Sequence, residues 1–346
     1  MQSTVSSRSS VAVVILNWNG KKFLEKFLPS VVSNSGDAEI IMADNNSSDD
    51  SISFMAINYP NIRIIKNSEN GGFAKGYNDA LKQIKSDYYI LLNSDIEVTP
   101  NWIDPLFDLM ENDSMIAACQ PKLRSYYQQD EFEYAGAAGG FIDKWGYPFC
   151  RGRIFGHLEK DEAQYENVEE VFWATGAAMF VRAKYFWEVG GLDEDFFAHM
   201  EEIDLCWRLK NKGYKIMVHP QSVVFHVGGG TLPKNSPTKT YLNFRNNFYL
   251  LYKNLPKKRF KRVFIFRLIW DGVAGIKFLV EGNWRDSLAV MKAHFHFYKN
   301  LSKNYKKRKA IHQTNVSKIY QKNIVFEHFI LRKNKFSQLN KDSFSI

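Results

Sequence analysis

Four polar clusters in this chain each follow a short apolar run, and each offers oxygen or nitrogen atoms suited to a charged ligand. The most informative is Tyr89-Ile-Leu-Leu-Asn-Ser-Asp95-Ile-Glu-Val98, a strand-like run that delivers Asn93, Ser94 and Asp95 to its end. Open α/β sheets bind their ligands at that edge. Asp95 therefore reads either as a ligand for a hard cation such as Mg2+ or Mn2+, which takes oxygen atoms and leaves positions for phosphates, or as a loop cap. His226 follows Val223-Val224-Phe225 in the same way. It would complete such a coordination sphere, with Mn2+ tolerated, or else serve the core. Asp44-Asn45-Asn46-Ser47 ends another run. Asp44 is placed either to accept the imide N–H of a uracil or thymine ring or to cap the helix that follows. Asn17-Trp18-Asn19-Gly20 is the fourth cluster.

Two further segments carry chemistry. Asn70-Gly71-Gly72-Phe73-Ala74-Lys75-Gly76-Tyr77-Asn78 is a Gly-rich turn into a helix, whose backbone N–H groups together with Lys75 suit a diphosphate. Its spacing fits neither the dinucleotide fingerprint nor the P-loop. Glu201-Glu202-Ile203-Asp204 heads a helix after the sharp Gly190-to-Phe197 loop. Carboxylates are favoured at a helix start in any case, and Asp204 is spaced to pair with Arg208. One of these acids, presented after such a loop, could act as a general base.

The elements that must position these residues alternate. Val11–Leu16, Glu39–Ala43, Ile62–Lys66 and Tyr88–Leu92 are predicted strands, and Lys21–Ser33, Ser48–Ile57 and Phe73–Lys85 predicted helices, implying a parallel sheet with right-handed crossovers. Met115–Arg124 and Glu170–Arg182 are further expected strands, separated by a long Gly- and aromatic-rich insertion of the kind that forms binding loops. A helix is predicted over Phe197–Lys212, stopping at Gly213. Short strands are expected at Ile216–Val218 and Val223–His226, with Gly228-Gly229-Gly230 as a hinge. From Tyr241 onward the chain reads as helical and ends in a Lys-rich tail. Residues 1–10, Ser-rich and without the apolar core of a signal peptide, read as a disordered tail.

Charge divides the chain. Residues 251–346 hold 22 basic and 5 acidic side chains, whereas residues 1–250 hold 24 basic and 32 acidic. Such asymmetry points the C-terminal third at a polyanion, anionic lipid or nucleic acid, and no nucleic-acid-binding signature accompanies it. Cys119, Cys150 and Cys206 have no paired spacing, which excludes a disulfide framework or zinc knuckle and suits a reducing compartment. The most apolar stretch, Val263 to Val280, is interrupted by Arg267, Asp271 and Lys277; it is too polar to span a bilayer but suited to lying on one. Aromatic residues make up 15% of the chain, which serves core packing as well as sugar or lipid contact.

Taken together, these clusters resemble the inverting family 2 glycosyltransferases of the GT-A fold, over about residues 11–250, and most nearly the bacterial rhamnosyltransferase-like branch. The resemblance implies a Rossmann-like, mainly parallel central sheet flanked by helices over 11–240, followed by a helical, basic C-terminal region over 241–346. It implies that Asn17, Asn19, Asp44, Asn46, Asn70, Gly72, Phe73, Lys75, Asn78, Asn93 and Ser94 contact a nucleoside diphosphate sugar donor, dTDP-rhamnose or a UDP-sugar. Trp173, Thr175, Gly176 and Arg208 fall at the acceptor-side motifs, Asp95 and His226 at the divalent metal, and Glu202 at the catalytic base, with Glu201 and Asp204 as rivals. Two positions depart from the family pattern. Asn93 replaces the first Asp of the Asp-x-Asp motif, and Glu202 stands where an Asp is usual.

The implied reaction is transfer of a sugar to a hydroxyl of a glycan or lipid-linked glycan in cell-surface polysaccharide synthesis. The basic third would hold the enzyme on the cytoplasmic face of the membrane through Lys257 to Arg262 and Lys306 to Lys309. The alternative is a catalytically degenerate GT-A protein that binds glycan or nucleotide without turnover. A sugar nucleotidyltransferase would need an N-terminal Gly-rich activation loop, which the sequence lacks. Oligomeric state is open.

Overall fold

The structure is a computed structural model that describes residues 9–228 and 236–346. Residues 1–8 of the tail expected over 1–10, and the hinge glycines 229 and 230, lie outside these residues; Ser10 is no loose end, its N–H and hydroxyl donating to Asp87 Oδ2 (2.8 Å each). The first half alternates strands and helices: β1 (Val11–Asn17), α1 (Lys21–Asn34), β2 (Glu39–Asp44), α2 (Ser51–Asn58), β3 (Arg63–Lys66), α3 (Gly72–Leu81), β4 (Tyr88–Asn93), β5 (Ile96–Val98), α4 (Asp104–Asn112) and β6 (Ile116–Ser125). Four short strands follow, β7 (Gly140–Asp143), β8 (Pro148–Cys150), β9 (Arg153–Ile154) and β10 (His157–Leu158). Then come β11 (Glu169–Val171), β12 (Ala178–Arg182), α5 (Ala183–Glu188), α6 (Glu201–Asn211) and β13 (Lys215–His226). The C-terminal part contains α7 (Pro237–Asn254), α8 (Lys257–Val280), α9 (Trp284–Lys299), α10 (Leu301–Ala310), β14 (Ile319–Tyr320) and α11 (Ile324–Phe329).

Among the described residues the main sheet runs β11-β13-β6-β12-β4-β1-β2-β3, with β5 paired to β13. β1 to β4 are parallel to one another, and β12 enters antiparallel between β4 and β6. Alternating side chains explain the layering. Val13, Ile15, Ile90 and Leu92 join the core beneath α1 and α4, while Ala12, Val14, Tyr89 and Leu91 join a larger core on the opposite face, shared with α3 and α6. The two layers bury both faces of the parallel strands, as such sheets require.

Three expectations are corrected. The single strand expected over Glu170–Arg182 breaks into β11 and β12, because Trp173 leaves the main sheet to pair with Gly140 and its indole donates to the carbonyl of Phe141. The helix expected from Phe197 starts at Glu201, because Phe197, His199 and Met200 hold left-handed backbone conformations. The Lys-rich end is no free tail. β14 adds to the second sheet beside β7, and Phe336 and Phe344 pack on Phe141 and Phe149. Within the 306–309 cluster, Lys307 pairs with Asp193 and Asp195, and Arg308 donates to the carbonyls of Tyr252 and Leu255.

Candidate active site

Parallel register brings the sequence clusters to one edge. Asn17 stands beside Asp44, and Leu16 beside Asn93. The Asn17 amide donates to Asp44 Oδ1 (3.4 Å) and Ser47 Oγ (3.2 Å), and Asp44 Oδ2 accepts the Ser47 N–H (3.0 Å). Asn19, at φ +51°, turns its side-chain oxygen to the N–H groups of Ser48 (2.7 Å) and Asp49 (3.2 Å). Asn46 is exposed at φ +62°. The loops after β1 and β2 are thereby stitched together.

The third loop is joined through Asn45 and Asn70 of the two motifs and through Asn67, which belongs to none. Asn45 donates to Asn70 Oδ1 (2.9 Å) and to the Gly72 carbonyl (3.0 Å), and accepts from Asn67 (3.2 Å). Side-chain amides carry donor and acceptor at once and can bridge loops in this way. Only their clustering after strand ends signals it in the sequence.

Glu202 reaches this edge through a strained loop. The Phe197 carbonyl accepts the N–H groups of Phe73 (2.7 Å) and Ala74 (3.4 Å), so the loop before α6 sits on the Gly-rich turn. Gly72 permits the approach: it has φ +73°, and a Cβ there would lie 2.5 Å from the Phe197 oxygen. Three non-glycine residues at positive φ cost energy that surrounding contacts must offset. Asn246 of α7 supplies these by donating to the carbonyls of Phe196 (2.9 Å), Ala198 (2.8 Å) and His199 (2.7 Å), and Arg245 adds bonds to those of Asp195 and Phe196. Neither α7 residue carries a sequence signal.

The carboxyls at the start of α6 are unusual. Oε2 of Glu201 and Oε2 of Glu202 are buried and lack a hydrogen-bond partner. Burial pushes the Glu202 carboxyl up to about 7 against the pull of backbone N–H groups, and burial plus the neighbouring Glu202 holds Glu201 well above the usual range. A Cβ built on Gly176 would sit 2.8 Å from the Phe73 ring and 3.6 Å from Glu202 Cβ, and the adjoining Ala177 carbonyl accepts the Asn93 N–H (2.9 Å). Gly176 thus joins the Gly-rich turn, the end of β4 and Glu202.

β13 pairs with β5, setting His226 opposite Ile96 and beside Asp95. His226 Nε2 lies 3.2 Å from Asp95 Oδ1, and on the other side of the ring Nδ1 lies 3.3 Å from Glu133 Oε2, within ion-pair distance but off the line of a hydrogen bond. Burial alone would lower the imidazole; the Glu133 and Asp95 carboxylates override it and raise it to about 10. Burial would raise Asp95, and the His226 charge holds it below the usual range. One carboxylate and one imidazole facing each other at a buried strand end fit a divalent cation that takes oxygen and nitrogen ligands, with the imidazole proton displaced. Among the described residues no group of three or more His, Cys, Asp or Glu is arranged to hold a metal ion. Glu133 belongs to no sequence motif.

Several expected contacts are corrected. Asp204 is buried with Oδ2 accepting from Arg208 (2.7 Å) and Lys253 (2.7 Å) and Oδ1 from Asn254 (2.8 Å), so it is saturated and no rival base. Arg208 is committed to that pair and to the Val189 carbonyl. Asn78 spends its amide on both backbone groups of Leu192 (2.8 and 3.0 Å). Lys75 pairs with Asp79 and Glu69 along its own turn. Trp173 is in the core, and Thr175 is buried with its N–H on Gln120 and its hydroxyl accepting from Ala177. Ser94 remains at the edge beside Gly20.

A mixed sheet whose parallel strands present Asn, Asp and His at one rim, with a helix-borne carboxylate opposite, is the frame of GT-A glycosyltransferases. The profile described as Glycosyl transferase family 2 matches residues 12–190, and the chain belongs to that family. It is 27% identical over 230 residues to an N-acetylglucosaminyl-diphospho-decaprenol L-rhamnosyltransferase of Mycobacterium tuberculosis, covering 62% of this chain and 75% of that one. Its fold is similar to a mannosyltransferase from Pyrobaculum calidifontis in complex with GDP-Man and Mn2+ (TM-score 0.51, 14% identity, covering 88% of this chain and 85% of that one). It is also similar to GalNAc-T7 with UDP, GalNAc and Mn2+ (TM-score 0.57, 16% identity), covering 73% of this chain and about half, 49%, of that chain.

Proposed function

We propose that this protein is an inverting, metal-assisted glycosyltransferase that moves a deoxyhexose or hexose, with dTDP-rhamnose as first candidate donor, to a hydroxyl of a lipid-linked glycan at the cytoplasmic membrane face. The observation that carries the reading is the Glu202 carboxyl, buried, unpartnered and raised to about 7, joined through Gly176 to the Gly-rich turn and the end of β4.

In this mechanism Asp44 and Asn17 engage the base, while the N–H groups of Gly72, Phe73 and Ala74 hold the turn itself, on Asn70 Oδ1 and the Phe197 carbonyl. Asp95 and His226 would hold the cation, which when bound supplies positive charge against the departing diphosphate. Glu133 keeps the His226 ring facing Asp95. Glu202 takes the proton from the acceptor hydroxyl as its oxygen forms the bond to the anomeric carbon and the sugar–phosphate bond breaks. A single displacement from the opposite face inverts that centre, through an oxocarbenium-like transition state. A base with a pKa near the working pH is well matched to this step.

Support comes from the rhamnosyltransferase relative and from the nucleotides and Mn2+ in the two similar folds. The test is thermal-shift screening against dTDP, UDP and GDP with and without Mn2+, followed by transfer assays with the matching sugar nucleotides. Ligand at 100 times its Kd should stabilise the fold by about 2.7 kcal/mol. Binding without any transfer or donor hydrolysis would favour the degenerate reading.

A further inference from the structure

The α8–α9 hairpin is built inside out. On α8, the residues turned toward the protein are Val263, Arg267, Asp271 and Gly275, at helical spacing of four. Arg267 and Asp271 form an ion pair (3.0 Å) with side chains only 5% and 1% exposed, Arg267 lies over the Tyr147 ring, and His294 of α9 lies 3.4 Å from the second Asp271 oxygen. The face turned to the surroundings is mostly apolar: Ile265, Ile269, Ile276 and Val280 stand exposed, Ile269 at 61%, with Lys277 beside them. On α9, Trp284, Leu288, Met291 and Phe295 recur at spacings of three and four, with Trp284 55% and Phe295 65% exposed. A helix in water places its apolar stripe inward and its charges outward. The reverse arrangement, with charges paired inside and apolar residues outside, is that of helices surrounded by hydrocarbon.

We infer that the outer face of the α8–α9 hairpin is a membrane-docking surface that beds its apolar side chains among the acyl chains of an anionic bilayer. Direction and charge choose the occupant. Phe264 stacks near Phe297, and Gly275 lies beside Ser287, so the helices are antiparallel. The start of α8 and the end of α9 therefore share one end of the hairpin, and the turn over residues 281–283 forms the other. The shared end carries exposed Lys258, Lys261 and Arg262 on α8 and Lys299 and Lys306 at and beyond the end of α9, whereas the far end carries Leu279, Val280 and Trp284 beside the exposed Lys277–Glu281 pair and Arg285. Over residues 257–309 there are 15 Lys and Arg against 3 Asp and Glu. A mostly apolar outer face with an excess of cations at its base matches acyl chains beneath anionic headgroups. No described helix is long and apolar enough to cross a membrane, so the hairpin enters one leaflet only. α9 packs along α7, which holds the loop before Glu202 through Asn246, so the docked face lies one helix away from the base.

The inference rests on this face and not on the sugar chemistry, so vesicle binding and donor binding fail separately. The full chain is sedimented with vesicles of phosphatidylcholine, with or without phosphatidylglycerol. The wild type is expected to bind the mixed vesicles and to remain partly bound in high salt, because the apolar contacts are unscreened. Met291→Glu with Phe295→Glu should weaken binding at least about tenfold, with unchanged circular dichroism and unchanged nucleotide thermal shift. Lys258→Ser with Lys261→Ser should weaken it about fivefold per cation removed and lessen the preference for phosphatidylglycerol. Acyl-brominated lipid should quench the wild type more than Trp284→Phe. The proposal is overturned if the wild type ignores vesicles, if the double Glu variant binds as well as wild type, or if that variant instead converts a vesicle-independent dimer into a monomer.

Discussion

At the carboxyl rim of the main sheet, polar side chains are buried and nearly all are tied; on the α8–α9 hairpin, apolar side chains are exposed and the charges lie beneath them. In the first region Asn17, Asn45, Asn67, Asn70 and Asp44 link three loops through their side chains, leaving Asn17 Oδ1, Asn67 Oδ1, Glu201 Oε2 and Glu202 Oε2 unpartnered. In the second the unsatisfied surface is hydrocarbon. Each region departs from ordinary burial in the direction its ligand requires. A rim that must receive a charged donor keeps an ordered polar lattice with a reactive gap, and a face that must leave water keeps its apolar stripe outside.

The largest expected effect bears on the gap. Glu202→Gln should lower transfer by about 10²–10⁴ while the nucleotide thermal shift stays. The wild-type rate should fall as pH drops through about 7, where the Glu202 carboxyl takes up its proton and ceases to be a base, and the variant should lack that limb. Stability moves the other way. Because the folded pKa is raised from 4.5, the folded chain retains a proton that the unfolded chain releases, so this stabilising contribution is full below about pH 4.5 and is lost as pH rises through about 7. Denaturant midpoints across that range should decline less in Glu202→Gln.

Next comes the cation site. Asp95→Asn should weaken the Mn2+-dependent part of the nucleotide shift by at least about tenfold, and calorimetric Mn2+ titration of the two proteins measures it. An unchanged titration would remove Asp95 from the site. The lattice around the strained loop is then tested by Asn246→Ala, which removes the side-chain donor from the Ala198 and His199 carbonyls and should cost about 1–3 kcal/mol in chemical denaturation, with lower kcat as the loop before Glu202 relaxes. Smallest of all, Lys75→Met should change the donor KM by less than about threefold, a shift worth under ~1 kcal/mol and expected of a surface pair turned along its own helix. A larger rise in KM would return Lys75 to the diphosphate.

The rim was more legible than the hairpin for a physical reason. Asp95 and His226 announce themselves as polar residues ending apolar runs, and parallel strands carry such ends to one edge without further instruction. Glu133, Arg245 and Asn246 could not be found this way, since each comes from an irregular segment or a distant helix and works on its neighbours through space. Asp204 misled because an acid in the first turn of a helix looks the same whether it faces the rim or Lys253. On α8 the charges at 267, 271 and 277 were visible, but which side of the helix faces the protein was not.

The sequence by itself determined the alternation of strands and helices, the rim residues and the cationic character of the last third, because periodicity, strand ends and charge are local properties. Tertiary structure alone decided that Asp204 is the paired acid of the 201–204 cluster while Glu201 and Glu202 keep an unpartnered oxygen each, that Lys307 and Arg308 are spent on the protein, and that α8 turns its ion pair inward. These are choices of partner and facing, fixed only when distant segments compete for the same buried space.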